Sequence, residues 1–234
     1  MLSSPEEFNF KVGNTTLSLI QYRNTFNHGT TVWDSSVVTA YYMQNLLNSR
    51  NLFEKNLSCI ELGSGCGLLG LVMCSLGFET TLTDLADVVD NVLKENIRRN
   101  LLILNNQIQY QNLENIQHKA YVKVLDWTLQ LSSDFNPPYD YIVATDCIYS
   151  LDLIPYFAKC LYDLSSDKSV IICGIERRDP IVIDSFLNEC KKNNSFNISK
   201  ISVNKLKKIL KGISDLNFEN QILVEIYHLK KINI

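Results

Sequence analysis

The chain has 234 residues, of which 46% are hydrophobic and 20% charged, and a formal net charge of -3. That length and composition suit one core with modest appendages and exclude a disordered chain. The negative balance argues against a protein whose main partner is a nucleic acid, because domains that grip phosphate backbones are usually strongly basic.

Taken in order, Met1-Leu-Ser-Ser-Pro-Glu-Glu has no basic region leading into an apolar core, and no apolar run reaches the length of a membrane span. A soluble, unexported protein is therefore expected. Phe8, Phe10 and Val12 alternate with polar residues, Gly13-Asn14 intervenes, and Leu17 and Leu19 resume the alternation, which predicts a β-hairpin. It would form an extension over residues 1–30, ahead of a main domain at 31–234. Thr31 as N-cap and Asp34 in the first turn predict a helix reaching about Asn48, with Trp33 at its start and Val37, Ala40, Tyr41, Leu46 and Leu47 on its buried face.

The stretch Ser58-Cys-Ile-Glu61-Leu-Gly63-Ser-Gly65-Cys-Gly67-Leu-Leu-Gly70 reads as a strand, a tight glycine turn and an apolar helix that Gly77 ends. A second strand closes on Asp84, about twenty residues on, as in nucleotide-binding βαβ units. Val88 to Ile97 has helical period, and the Asn/Gln-rich run from Asn105 to about Gln117 predicts a loop. Further strands end in Asp126-Trp127 and Asp146-Cys-Ile-Tyr149, and a fifth runs from Ser169 to Glu176, with helices at about Leu153–Leu164 and Pro180–Lys192. This alternation predicts an α/β fold with a parallel sheet covered on both faces. Phe196–Val203 and Ile222–Leu229 break the rhythm and predict a closing antiparallel pair, separated by the lysine-rich run Lys205–Lys211, which is read as solvated surface. Seven cysteines without a Cys-x-x-Cys pair and only three histidines predict reduced, buried thiols and no metal site, pointing to the cytoplasm or nucleus.

Gly65-Cys-Gly67-Leu-Leu-Gly70 fits a dinucleotide fingerprint, while Glu61-Leu-Gly63-Ser-Gly65-Cys-Gly67 fits the E-x-G-x-G-x-G loop of a methyl-donor site. A pyrophosphate calls for positive surroundings. Here no Lys or Arg lies in the loop, and Glu61, Asp84, Asp126 and Asp146 gather at the strand ends, which suits a ligand carrying a sulfonium and an ammonium. The acids therefore favour a methyl donor over a nicotinamide dinucleotide.

Val32-Trp33-Asp34, the Glu61–Gly67 loop, Thr83-Asp84-Leu85, Leu125-Asp126-Trp127 and Asp146-Cys-Ile-Tyr149 together resemble the family-16 protein methyltransferases, mainly lysine methyltransferases. The resemblance runs from Thr31 to the last strand and implies a Rossmann-like seven-strand sheet binding S-adenosyl-L-methionine. It implies that Glu61, Gly63, Ser64 and Gly65 form the site for the methionine moiety, that Asp84 holds the ribose, and that Trp127 lies on the adenine. Trp33 would wall the donor near its amino-acid end and Thr145 would line the cofactor. Asp146 and Tyr149 would be the catalytic pair. A monomer acting on lysine in a protein substrate is expected. The alternatives are another nitrogen acceptor (an amide, a nucleic acid or a small molecule) or a non-enzymatic donor-binding module. Asn136-Pro-Pro-Tyr139 spells the signature of amide and adenine methyltransferases, but it precedes its strand where theirs follows, so it is read as a turn. Asp126 is read either as an acceptor for the adenine amino group or as a strand-end cap, and it stays, with Glu176, outside the candidate set.

Overall fold

The structure is a computed structural model and describes residues 4–23, 28–47, 56–110, 117–192, 195–211, 213 and 223–232. The period-two alternation near the start yields β1 (Glu6–Val12) and β2 (Thr15–Gln21), paired antiparallel with Val12 opposite Thr15 and Gly13 at φ 57° in the turn. Phe10, Val12, Leu17 and Leu19 are buried in the same core as the helices and sheet that follow, and the Phe10 ring meets Tyr41 at 4.7 Å.

Helix α1 (Asp34–Leu47) begins three residues after Thr31. Thr31 is not its cap: the Thr31 hydroxyl donates to Tyr22 O, and Trp33 O accepts the first helical amides from Ser36 and Val37. The expected end at Asn48 lies outside the described residues. Next come β3 (Ser58–Leu62), α2 (Leu68–Ser75) and β4 (Glu79–Asp84). A short α3 (Ala86–Val88) passes through one π turn, Val89–Leu93, into α4 (Lys94–Tyr110). The loop expected from Asn105 is thus helical as far as Tyr110. Buried Leu104 anchors that last stretch, and the Asn105 Oδ1 accepts from His118 N at 2.9 Å, tying the helix to the strand entry.

The remaining strands are β5 (Ala120–Val124), β6 (Tyr141–Thr145), β7 (Val170–Glu176), β8 (Phe196–Lys200) and β9 (Val224–Lys231). Helices α5 (Ile154–Leu164), α6 (Pro180–Lys191) and α7 (Val203–Leu210) lie between them. The strand expected to reach Val203 stops at Lys200, because Ser202 accepts from Lys205 N and starts α7, which buries Leu206 and Leu210. Asn136-Pro-Pro-Tyr139, with a cis Pro137–Pro138 bond, enters β6 at the edge opposite the acids.

Sheet order is β5-β4-β3-β6-β7-β9-β8, parallel except for β9, which runs antiparallel to both neighbours. Helices α1, α2, α4 and α7 and the hairpin share the core on one face, and α5 and α6 cover the other. Parallel strands with covered faces must deliver their carboxyl ends to a common edge, so Leu62, Asp84, Thr145 and Glu176 end side by side. All seven cysteines are buried and free. No helix is long and apolar enough to cross a membrane, among the described residues.

Candidate active site

A cleft of about 1000 Å³ opens at that edge. Its floor is the glycine turn. Gly63 and Gly65 have φ of 62° and 53°, the left-handed region that costs an L-residue about 1–2 kcal/mol. Space is equally restrictive: a Cβ on Gly63 would stand 2.7 Å from Cys147 Sγ and 3.4 Å from the Trp127 ring, and one on Gly65 would stand 3.0 Å from Gly29 O. The backbone is thus wedged between β6's exit and a 3-10 turn, His28–Thr30, that flanks the cleft.

Ser64 faces the cleft but uses its polar atoms to hold the turn on β4: its amide donates to Thr83 O at 2.9 Å and its Oγ accepts from Thr83 N at 3.0 Å. Glu61 does not line the cleft. It is 1% exposed, behind the turn, with Oε2 accepting from Gly70 N at 3.0 Å. Burial outweighs that bond and the one from Ser64, pushing the carboxyl up to about 8. Its place is explained by β3's pleat: successive side chains alternate faces, and Glu61 falls on the α2 side.

Asp84 borders the cleft. Its Oδ2 accepts from Gly65 N at 2.7 Å and its Oδ1 from Leu85 N at 2.8 Å, while burial raises its pKa. An ionised carboxylate offers about four lone-pair sites, so two remain for a ligand. Trp127 lies at the cleft wall, its orientation fixed by an edge-on contact with Phe157 at 4.8 Å. Asp126 caps Thr128, accepting from its N and Oγ1 at 2.9 and 2.7 Å. Thr145 lines the cleft from the end of β6, and Trp33 from the start of α1, its indole N–H donating to His28 O at 2.9 Å.

Asp146 follows β6 with φ 51°, uncommon outside glycine. The bend brings its Oδ1 to Glu176 N at 2.8 Å and its Oδ2 to Arg178 Nη2 at 3.2 Å. Burial raises its pKa, against the lowering from the Glu176 amide and the Arg178 charge. Tyr149 stands at the mouth, 66% exposed. The glycine turn, Asp84, Trp127, Trp33, Thr145, Asp146 and Tyr149 therefore meet in one cleft, and Glu61 supports it from behind. Sequence reasoning passed over Arg178, Cys147 and the His28–Thr30 turn. For Arg178 the one available signal was a basic doublet directly after a strand's carboxyl end.

Across residues 11–193 the chain matches the family model described as "Lysine methyltransferase". The chain belongs to the lysine methyltransferase family. It is 30% identical to Protein N-lysine methyltransferase METTL21A of Xenopus tropicalis over 169 residues, 72% of this chain and 70% of that protein. The mouse METTL21A is 32% identical over the same shares. Against Protein-lysine methyltransferase METTL21E of Bos taurus, identity is 30% over 62% of this chain and 46% of that protein. Among solved structures, a SAM-dependent methyltransferase from Agrobacterium tumefaciens superposes with a TM-score of 0.57 at 13% identity, over 98% of this chain and 71% of that one. The N2 G1207 methyltransferase of T. thermophilus 16S rRNA, in complex with AdoMet and guanosine, superposes at 0.53 with 15% identity, over 98% and 51%. These likenesses establish the seven-strand methyltransferase fold.

This methyltransferase uses S-adenosyl-L-methionine, and its residues fit that donor. The glycine turn lines the cleft, Asp84 retains acceptor sites, and two tryptophans supply flat walls. Among the described residues that line the cleft, Asp84, Asp87, Asp126 and Asp146 outnumber the single guanidinium of Arg178, which suits a cationic ligand.

Proposed function

We propose that the chain transfers a methyl group to the ε-amino group of a lysine in a protein substrate. The observation that carries this reading is Asp146: a carboxylate held by the Glu176 amide at the rim of a donor-type cleft, three residues before the exposed ring of Tyr149. The family and the named activities of the METTL21A relatives support the acceptor class.

When bound, the donor supplies a methyl group on a sulfonium. The chain's residues do the rest by position and electrostatics. Gly63, Ser64 and Gly65 receive the methionine moiety, Asp84 the ribose hydroxyls and Trp127 the adenine. Trp33 would wall the donor near its amino-acid end and Thr145 would line it from the end of β6. An acceptor lysine arriving as an ammonium would first release a proton to water at the open mouth beside Tyr149, so that its nitrogen lone pair could take the methyl group. The donor would leave as a neutral thioether and the nitrogen would be cationic again. Asp146 aligns the amine and favours that returning charge, and Tyr149 walls the approach or donates a hydrogen bond.

Seven reduced thiols support a cytoplasmic or nuclear setting. The test is incubation of the purified chain with labelled donor and a cell lysate, followed by mass spectrometry of the labelled band. Methyl-lysine on a protein is the expected product; label only on amides, nucleic acid or small molecules would overturn the reading.

A further inference from the structure

Arg178 is the only Lys or Arg among the described residues that line the cleft, and its surroundings look built for a cation in general. Its guanidinium carbon lies 4.7 Å from the centroid of the Trp33 ring. Its Nη2 donates to Asp146 Oδ2 at 3.2 Å and also to Glu176 Oε2. An indole face combined with two carboxylates attracts positive charge from three sides. The parts differ in how firmly they are held. The side chains of Asp146 and Glu176 are 11% and 21% exposed, whereas that of Arg178 is 50% exposed. Asp146 has a second anchor besides the guanidinium, the bond it accepts from the Glu176 amide at 2.8 Å. The indole is anchored by its N–H bond to His28 O and Asp146 by the Glu176 amide, while the guanidinium is more exposed than either carboxylate.

We propose that Arg178 is a stand-in for the acceptor ammonium, filling the seat of Asp146 and Glu176 until the substrate's cation displaces it. This rests on the reading of Asp146 as the group that aligns the acceptor. Two cations cannot share the seat, because like charges at contact repel. The exchange makes Arg178 a specificity-determining residue. An incoming ammonium replaces both the charge and the hydrogen bonds that the guanidinium gave up. A neutral amide or hydroxyl replaces neither, and leaves Arg178 in place.

The test uses the full chain saturated with S-adenosylhomocysteine, with n-butylammonium as the probe and tryptophan fluorescence as the readout. Arg178→Met and Arg178→Gln are expected to bind the probe at least about tenfold more tightly than the wild type. Arg178→Lys retains a competing cation and is expected to stay within about threefold. Thermal melting and S-adenosylhomocysteine affinity check that each variant is folded. Unchanged or weaker probe binding in a folded Arg178→Gln or Arg178→Met protein overturns the proposal and makes Arg178 a permanent part of the site. That failure is distinct from failure of the lysine reading, which would appear as no lysine methylation by the wild type in lysate whatever the probe does.

Discussion

The proposed chemistry rests on one side chain, Asp146, and its geometry makes a separable prediction. Its carboxylate touches Arg178 and the Glu176 amide but none of the glycine turn. Asp146→Ala should lower transfer by about 10²–10⁴-fold, the usual worth of a positioned acid–base group, while S-adenosylhomocysteine affinity by calorimetry stays within about threefold of the wild type. Full activity would remove Asp146 from the mechanism. Gly63→Ala should do the reverse, costing at least about 1–2 kcal/mol for the left-handed backbone on top of the collision with Cys147. Donor affinity should fall about tenfold or more. Glu61 predicts a pH dependence. Its folded pKa of about 8 exceeds the ~4.3 of an unfolded chain, so folding takes up a proton between those values. Its effect on stability is therefore most favourable below the unfolded pKa, declines as pH rises, and levels off above about 8. Melting curves of Glu61→Gln across that range should lack this part of the decline. The same residues mark where sequence stops being informative. The acids at the strand ends were legible because parallel strands share an edge. Glu61's turn away from the cleft depends on the face it occupies, and a motif does not encode a face. Arg177 and Arg178 are neighbours in sequence, yet one pairs with Asp184 and Glu225 and the other with Asp146 and Glu176.

Among the elements, α4 does the least expected work. Two fully buried asparagines one turn apart on it, Asn96 and Asn100, copy the pairing of a β-strand. Asn100 accepts from Ser18 N and donates to Ser18 O, both at 2.8 Å, and Asn96 accepts from Ile20 N at 2.7 Å and donates to Ile20 O at 2.9 Å. Asn96 donates to Cys66 O as well, at 2.9 Å, inside the glycine turn. Removing a partner of buried backbone groups costs about 1–3 kcal/mol for each group left unpaired. Asn96→Ala should therefore destabilise by several kcal/mol in denaturant titrations and also weaken donor binding. Asn100→Ala should cost less and leave donor affinity alone. The hairpin itself was legible from alternation and a Gly-Asn turn. Its docking was not, because asparagine is a poor helix former and its value here is tertiary. The same bias hid the helical stretch from Asn105 to Tyr110, where packing of Leu104 overrides local propensity.

For the molecule as a whole, alternating strands and helices revealed the parallel sheet, and the broken rhythm at the end revealed the antiparallel closure. That β9 inserts between β7 and β8 is a matter of spatial order, which chain order leaves open. A donor-shaped cleft makes a global prediction. S-adenosylhomocysteine at a hundred times its dissociation constant should add about 2.7 kcal/mol of stability, raising the melting temperature by about 5–10 °C for a chain of this size. NAD should leave it unchanged, and equal stabilisation by NAD would reopen the dinucleotide alternative.

The amide of Asn96 also ties the N-terminal hairpin to the glycine turn. One nitrogen bridges Ile20 O of β2 and Cys66 O of the turn. Under the proposed donor site, opening of the hairpin and binding at the turn should therefore be thermodynamically linked. Hydrogen exchange makes that linkage visible. The Ser18 and Ile20 amide protons, which bond to the two asparagines, should exchange more slowly once S-adenosylhomocysteine is bound, and Asn96→Ala should abolish the slowing. Occupancy of the cleft would then be recorded in the exchange clock of a strand outside the main sheet.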